Sequence, residues 1–167
     1  RGGNPERLYA EGGFQTSDGK ARFVAVEVPT LKSRLSPERP LRLNTGRIRD
    51  QWHTMTRTGT SQRLAQHMPE PFVDIHPDDA ASAGIIHGDY ARLTTEHGES
   101  VLKAIVTDRQ QRGMVFAPIH WSAVNASAGR IGALVLGDTD PLSGQPESKA
   151  TPVSVSPVAF AHRGFIL

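Results

Sequence analysis

The sequence has no cysteine among its 167 residues. The chain alone therefore offers no disulfide, no thiolate nucleophile and no ligand set for an iron–sulfur cluster. No apolar run approaches the roughly 18 residues of a membrane span, and the first residues lack the pattern of a signal peptide. Aromatic residues make up only 6% of the chain, so a barrel that stacks nucleobases is the weakest functional class. From these absences we expect neither a membrane nor a nucleic acid as a partner.

Glycine and proline are frequent instead, with 16 and 12 copies. This glycine and proline content disfavours long helices and favours short strands joined by turns. A single helix is predicted from Pro77, with Gly84 as its stop signal. The alternating or wholly apolar segments predict six to eight strands, within 19–29, 41–44, 72–75, 90–108, 113–121 and 151–160. This inventory predicts a mainly β chain forming a closed or half-closed barrel.

Positive charge is concentrated in one segment, "TGRIRDQWHTMTRTGTSQR", which runs from position 45 to 63. It holds four arginines and one aspartate, whereas the rest of the chain has 15 basic and 16 acidic residues. Gly46 lets a backbone approach a ligand closely, and Arg47 offers a planar fork for phosphate or carboxylate. Trp52 and His53 can flank a flat heterocycle, and hydroxyl side chains follow them. Composition supports a ligand with phosphates and a ring, and it supports a solvated loop equally well.

Other chemical motifs are weak. The seven histidines show no H-E-x-x-H spacing, so we predict no metal ligand, and no G-x-S-x-G elbow or phosphate-binding glycine motif is present. His76 and His97 precede Pro77 and Gly98 and are interpreted as turn or cap residues. His120 follows an apolar strand, which is compatible with a site residue and also with a hydrogen-bonded structural histidine. Lys149 ends a polar loop, where its ammonium group contacts either an anion or solvent.

Four unlike motifs occur in order along the chain. They are "LNTGRIRDQWHTMTRTG" (43–59), "EPFVDIHPDDA" (70–80), "FAPIHW" (116–121) and "DPLSGQPESK" (140–149). Together they closely resemble the C-terminal domain of molybdopterin-dependent nitrate reductases, chiefly the assimilatory bacterial type, over residues 19–158. The resemblance implies a six-stranded double-psi β-barrel with one or two short flanking helices. It places an approach segment with a first strand at 1–40, the barrel domain at 41–160 and a tail at 161–167.

The resemblance also implies a ligand, bis-molybdopterin guanine dinucleotide, whose pyrophosphates and pterin match the anion and ring expected from the arginine-rich segment. No catalytic residue is expected in this chain. By position, His120 corresponds to a residue near the cofactor and the substrate funnel. Some relatives have an asparagine that contacts the cofactor at about the position of Gly132, so we do not expect that contact in this chain. Within the arginine-rich segment, the contacts are expected from Thr45 to Thr56, and Thr58 to Arg63 are expected to be a solvated continuation. The expected cofactor-binding residues are Thr45, Gly46, Arg47, Trp52, His53, Thr54, Met55, Thr56, His120 and Lys149.

The chain begins at Arg1 rather than at a methionine, which predicts a fragment of a longer enzyme. By the resemblance, the intact enzyme reduces nitrate to nitrite with two electrons passed through an iron–sulfur cluster in the N-terminal part. The expected partners are the N-terminal catalytic domains of the same polypeptide and an electron-donor protein or domain. The cytoplasm is the expected location, with the periplasm left open. We expect the fragment alone to be inactive and to hold no cofactor tightly. The alternatives are a periplasmic nitrate reductase, a formate dehydrogenase relative, or a stand-alone barrel that binds without redox chemistry.

Overall fold

The structure is a computed structural model and describes residues 8–25, 27 and 30–161. The chain divides into two compact units, 1–30 and 31–167. In the first unit, the described residues form turns, one of them closed by a hydrogen bond from Phe14 N to Gly19 O at 3.1 Å. The described part of the second unit holds every strand and helix discussed below.

The strand predicted within 19–29 is wrong for the residues that the structure describes, 19–25 and 27, which form no regular element. Positions 26, 28 and 29 lie outside the described residues. Phe23 and Val24 remain 97% and 77% exposed. A segment of alternating apolar residues forms a strand only where another strand supplies ladder hydrogen bonds and a core covers one of its faces. The described chain gives this segment neither.

Six strands close into a barrel in the order β1-β5-β2-β4-β3-β6. The pairs β1–β5 and β2–β4 are parallel, and the other four pairs are antiparallel. Closure leaves no strand edge unpaired, and the predicted fold class is confirmed. The strands are β1 (Leu41–Gly46), β2 (Phe72–Ile75), β3 (Tyr90–Thr94), β4 (Glu99–Val106), β5 (Met114–Pro118) and β6 (Thr151–Val158).

Alternate residues of each strand fill the barrel. Leu43, Val73, Leu93 and Val115 are fully buried members of one apolar cluster. In β1, the burial pattern alternates regularly, so the polar Thr45 continues the inward row that begins at Leu41. A buried hydroxyl needs a partner, and this one donates to the carbonyl of Ser148 at 2.8 Å.

Among the described residues, two short α-helices lie outside the barrel, α1 (Gln62–Ala65) and α2 (Pro77–Ala83). The signals predicted for α2 are confirmed: Pro77 stands in its first turn, and Gly84 ends it at a φ of 67°. His76 is the N-cap, and its Nδ1 accepts from Asp78 N at 3.1 Å. Helix α1 is the second of the one or two short helices that the resemblance implies, and its position was not predicted. None of the described helices is long and apolar enough to cross a membrane.

The barrel topology brings the predicted binding motifs together. Strands β1 and β5 are parallel neighbours with Gly46 opposite Pro118, so the segments that follow them leave the same end of the barrel. The carbonyl of Gly46 accepts from Ile119 N at 2.9 Å, and Thr45 N donates to Ser148 O at 3.2 Å. Three segments distant in sequence therefore meet at the end of β1.

Candidate functional site

The segment after β1, residues 47–57, is called the arginine loop here. Its turn is closed by hydrogen bonds from Met55 N to Trp52 O and from Gly59 N to Met55 O, each at 2.9 Å. His53 and Met55 have φ angles of 45° and 62°. Such left-handed backbone costs a non-glycine residue on the order of 1 kcal/mol or more, and persists only where surrounding interactions fix it. The loop shape is thus imposed by its anchors.

One anchor joins the middle of the loop to the residue that follows it. Gln51 is only 5% exposed, and its Oε1 accepts from the hydroxyl of Thr58 at 2.7 Å. The same hydroxyl accepts from Trp52 N at 3.1 Å. The sequence interpretation of Thr58 as the start of a solvated continuation is therefore wrong, because this side chain holds the loop turn together.

A second anchor is the carboxylate of Asp50, which accepts from Arg49 Nε at 3.0 Å and contacts His67 Nδ1. The hydrogen bond from Arg49, followed by that from His67, lowers the pKa of Asp50 below its usual value. The one acid of the arginine-rich segment is consequently engaged by Arg49 and His67. It is not paired with Arg47.

His120 lies two residues beyond the end of β5, is fully buried, and joins the loop to the barrel. Its Nε2 accepts from Ile48 N at 2.9 Å, and its Nδ1 lies 2.6 Å from the carbonyl oxygen of His53. Burial is the main cause of its lowered pKa; the charges of Arg47 and His53 add to the effect, while the bond to the His53 carbonyl opposes it. Both ring nitrogens are used within the chain.

Gly46 and Lys149 lie together at the end of β1. A Cβ on Gly46 would stand 2.8 Å from Cε2 of Phe116 and 4.0 Å from Nζ of Lys149, so only glycine fits without displacement. The Lys149 ammonium donates to the carbonyl of Thr45, and its backbone N donates to Glu147 Oε1 at 2.7 Å. This lysine therefore places a positive charge beside the start of the arginine loop.

The outer face of the loop is polar, cationic and aromatic. Arg47 Cζ lies 5.9 Å from the ring centroid of Trp52, which is 61% exposed. The Trp52 and His53 rings meet edge to face with centroids 4.5 Å apart, and the hydroxyls of Thr54 and Thr56 are 3.3 Å apart. In the described chain, no carboxylate pairs with Arg47.

The ten expected cofactor-binding residues thus fall into two groups. The side chains of Thr45, Met55 and His120 are buried, and they shape the site from within. The exposed side chains of the other group are Arg47, Trp52, His53, Thr54, Thr56 and Lys149, beside the bare backbone of Gly46. Guanidinium, ammonium and hydroxyl groups suit phosphate oxygens, and an exposed indole suits a planar ring. The chemistry of this donor set fits a dinucleotide that carries phosphates and a heterocycle.

Sequence reasoning missed Gln51, Thr58 and Phe116. Gln51 sits in a polar run, so nothing local signals its burial. Phe116 was assigned only to a strand, and its approach to Gly46 depends on the parallel pairing of β1 with β5. The glycine itself was the available signal, since a strand-terminal Gly often marks a close approach. At Gly132, a Cβ would meet nothing within 4 Å.

Comparison with known families agrees with this geometry. Residues 41–152 match the family described as "Molydopterin dinucleotide binding domain". The chain belongs to this family. As a molybdopterin dinucleotide-binding domain, it has the ligand class that the motifs and the exposed donor set indicate, and the predicted family membership is confirmed.

Several oxidoreductases are similar to this molybdopterin dinucleotide-binding domain. A nitrate reductase of Klebsiella oxytoca is 44% identical over 147 residues, which cover 88% of this chain and 17% of that protein. A nitrate reductase of Shewanella frigidimarina is 32% identical over 96% of this chain and 19% of its own length. The F420-dependent formate dehydrogenase subunit alpha of Methanocaldococcus jannaschii is 35% identical over 67% of the chain. The chain therefore spans about a fifth of the length of these relatives.

Among solved structures, acetylene hydratase from Pelobacter acetylenicus is similar to this chain with a TM-score of 0.62. The superposition covers 71% of this chain and 18% of the hydratase at 20% sequence identity. This similarity concerns the fold alone.

Proposed function

We propose that this chain is the cofactor-binding domain of a molybdenum-dependent nitrate reductase and holds bis-molybdopterin guanine dinucleotide for two-electron reduction of nitrate to nitrite. The observation that carries the proposal is the exposed pair of Arg47 and Trp52, 5.9 Å apart, which joins an unpaired cation to an aromatic surface. The similarity to nitrate reductases over 88% and 96% of the chain supports nitrate as the substrate.

Different side chains of the loop and its neighbours would contact the phosphates and the ring of the cofactor. The Arg47 guanidinium and the Lys149 ammonium would meet the pyrophosphates, with the hydroxyls of Thr54 and Thr56 as further donors. Trp52, with His53, would pack against a flat ring. When bound, the cofactor supplies the redox chemistry of molybdenum, whereas the protein binds it, orients it and excludes water.

The proposal extends to the rest of the enzyme. The chain covers 17% to 19% of the two nitrate reductases, so other domains of the same polypeptide would complete the pocket. These would carry the iron–sulfur cluster and receive electrons from a donor protein or domain. The assimilatory type and the cytoplasmic location belong to the same proposal and are supported by the sequence resemblance. The chain alone would bind the dinucleotide weakly and have no turnover.

The test is Arg47→Ala in the full-length protein. We expect the variant to bind the cofactor at least about tenfold more weakly and the purified variant to contain less molybdenum and pterin, since a charge-assisted contact to phosphate contributes about 1.5–3 kcal/mol. The matched control is Arg63→Ala, which removes an exposed arginine of α1 from the same sequence segment. Metal analysis, pterin fluorescence after release and nitrate reduction are measured on both. Equal cofactor content in the two variants would refute the role of Arg47.

A formate dehydrogenase domain is the second candidate, because the similarity of 35% to the Methanocaldococcus jannaschii subunit extends over 112 residues. The two candidates share this cofactor site and differ in substrate. Assay of the full-length enzyme with nitrate and with formate separates them. Formate oxidation without nitrate reduction would replace the first proposal by the second.

A further inference from the structure

We propose that His120 is a positioning residue that holds the arginine loop in its binding shape before any ligand arrives. The inference rests on the proposed function only for the identity of that ligand. His120 itself reaches solvent nowhere, with an exposed fraction of 0%, so it acts through the loop backbone. The residues that it positions, Arg47 and Trp52, carry the exposed binding face.

The partners of the imidazole assign its protonation state. Ile48 N is a donor, so Nε2 must be an unprotonated acceptor. The carbonyl of His53 is an acceptor, so Nδ1 must carry the proton. One neutral tautomer satisfies both bonds, whereas the imidazolium would set an N–H against the Ile48 N–H.

These two bonds fix the loop at two points across a long sequence separation. Ile48 and His53 flank Trp52, and they lie 72 and 67 residues away from His120 in sequence. Between Ile48 and His53, the backbone bond from Gln51 N to Ile48 O is long, at 3.4 Å. His53 is also held at a φ of 45°, where its carbonyl turns inward to the imidazole. We infer that the bond to His120 offsets the cost of that backbone conformation.

The same arrangement makes the loop sensitive to acid. Burial and the charges of Arg47 and His53 lower the pKa of His120, and in the described chain these are the charged and titratable groups found to act on it. The unfolded chain therefore binds the proton more readily than the folded chain. Stability from neutral His120 is complete above the usual imidazole pKa of about 6.5 and is lost as the pH falls below it.

The test measures amide hydrogen exchange of segment 47–56 in the full-length apoprotein, purified from cells that cannot make the cofactor. His120→Phe removes both bonds, and we expect protection of this segment to fall roughly tenfold while the six strands stay protected. His120→Gln places an amide oxygen near Nε2, and His120→Asn places an amide N–H near Nδ1. Each of these should keep part of the protection, at the Ile48 end and the His53 end respectively.

The matched control is His87→Phe, which removes another histidine whose Nδ1 accepts a backbone N–H, that of Val106 at 3.1 Å. This substitution should leave the exchange protection of segment 47–56 unchanged. In the wild type, protection of 47–56 should fall when the pH is lowered from 7.5 to 5 (corrected for intrinsic exchange), and His120→Phe should lack this dependence. If His120→Phe unfolds the barrel, the exchange protection of segment 47–56 in the Gln and Asn variants tests the positioning role instead.

Cofactor content of the loaded enzyme then separates this proposal from the proposed function. We expect molybdenum content to fall in the order wild type, Gln or Asn, Phe. Unchanged protection of 47–56 in all three variants would overturn the positioning role and leave the Arg47 result untouched. Lowered protection with full cofactor content would also overturn it, because loop order would then have no bearing on binding.

Discussion

Replacement of Gly46 by alanine tests how closely β1 and β5 pack beneath the site. The added Cβ would stand 2.8 Å from Cε2 and 3.4 Å from Cζ of Phe116, whereas ordinary carbon contacts begin at about 3.5 Å. The phenyl ring must move by roughly 0.7 Å, and it already packs against Phe72 with centroids 6.5 Å apart. We expect Gly46→Ala to lower the free energy of unfolding by about 1–3 kcal/mol, the usual cost of overpacking.

The assay is urea unfolding of the chain, followed by molybdenum analysis of the full-length variant. Gly132→Ala is the matched control, because a Cβ there meets nothing within 4 Å, and its effect should stay within about 0.5 kcal/mol. Phe116→Leu combined with Gly46→Ala should recover part of the loss, which a double-mutant cycle measures as a coupling energy. If Gly46→Ala is as stable as Gly132→Ala, or if the cycle shows no coupling, the steric argument is refuted.

Two further predictions concern polar groups of the barrel and the loop. Burial raises the pKa of Asp74, opposed by Arg109, so its stabilising contribution is present at acid pH and is lost as the pH rises through the raised pKa. Asp74→Asn should therefore raise the free energy of unfolding at pH 7 but not at pH 3. Thr58→Val leaves Oε1 of the buried Gln51 without the 2.7 Å bond and should cost about 1–3 kcal/mol, whereas Thr58→Ser should cost less. Urea unfolding measures Asp74→Asn against the wild type at both pH values, and Thr58→Val against Thr58→Ser. If Thr58→Val is as stable as Thr58→Ser, the second prediction is contradicted.

Elements encoded by short-range signals were predictable from the sequence. In α2, His76, Pro77 and Gly84 each act within one turn of the helix end they define, so their residue types suffice. The strands of the barrel were likewise predicted from alternating or wholly apolar runs, since a half-buried or buried strand must have one of these patterns. Segment 19–25 shows the limit of that rule, because a pattern cannot reveal whether a pairing strand exists.

The contacts that shape the site were not predictable in the same way. His120 meets its two partners across 72 and 67 residues, and no local pattern shows which nitrogen faces which backbone group. The sequence therefore left its structural and site roles open. Thr58 was assigned to a solvated run, since no local pattern shows that its hydroxyl bonds to Gln51. The exposed group of Arg47 and Trp52 was predicted, since residue type alone indicates what an exposed loop can bind.

We propose that this domain holds a molybdopterin guanine dinucleotide through the arginine loop. The most direct measurement is the cofactor content of the full-length protein, released and quantified for molybdenum, pterin and guanine nucleotide in the wild type and in Arg47→Ala. We predict a pair of dinucleotides for each molybdenum in the wild type and a lower content of all three in the variant, because its affinity falls at least about tenfold. A wild-type protein without guanine nucleotide, or a variant that retains its full content, would contradict the account.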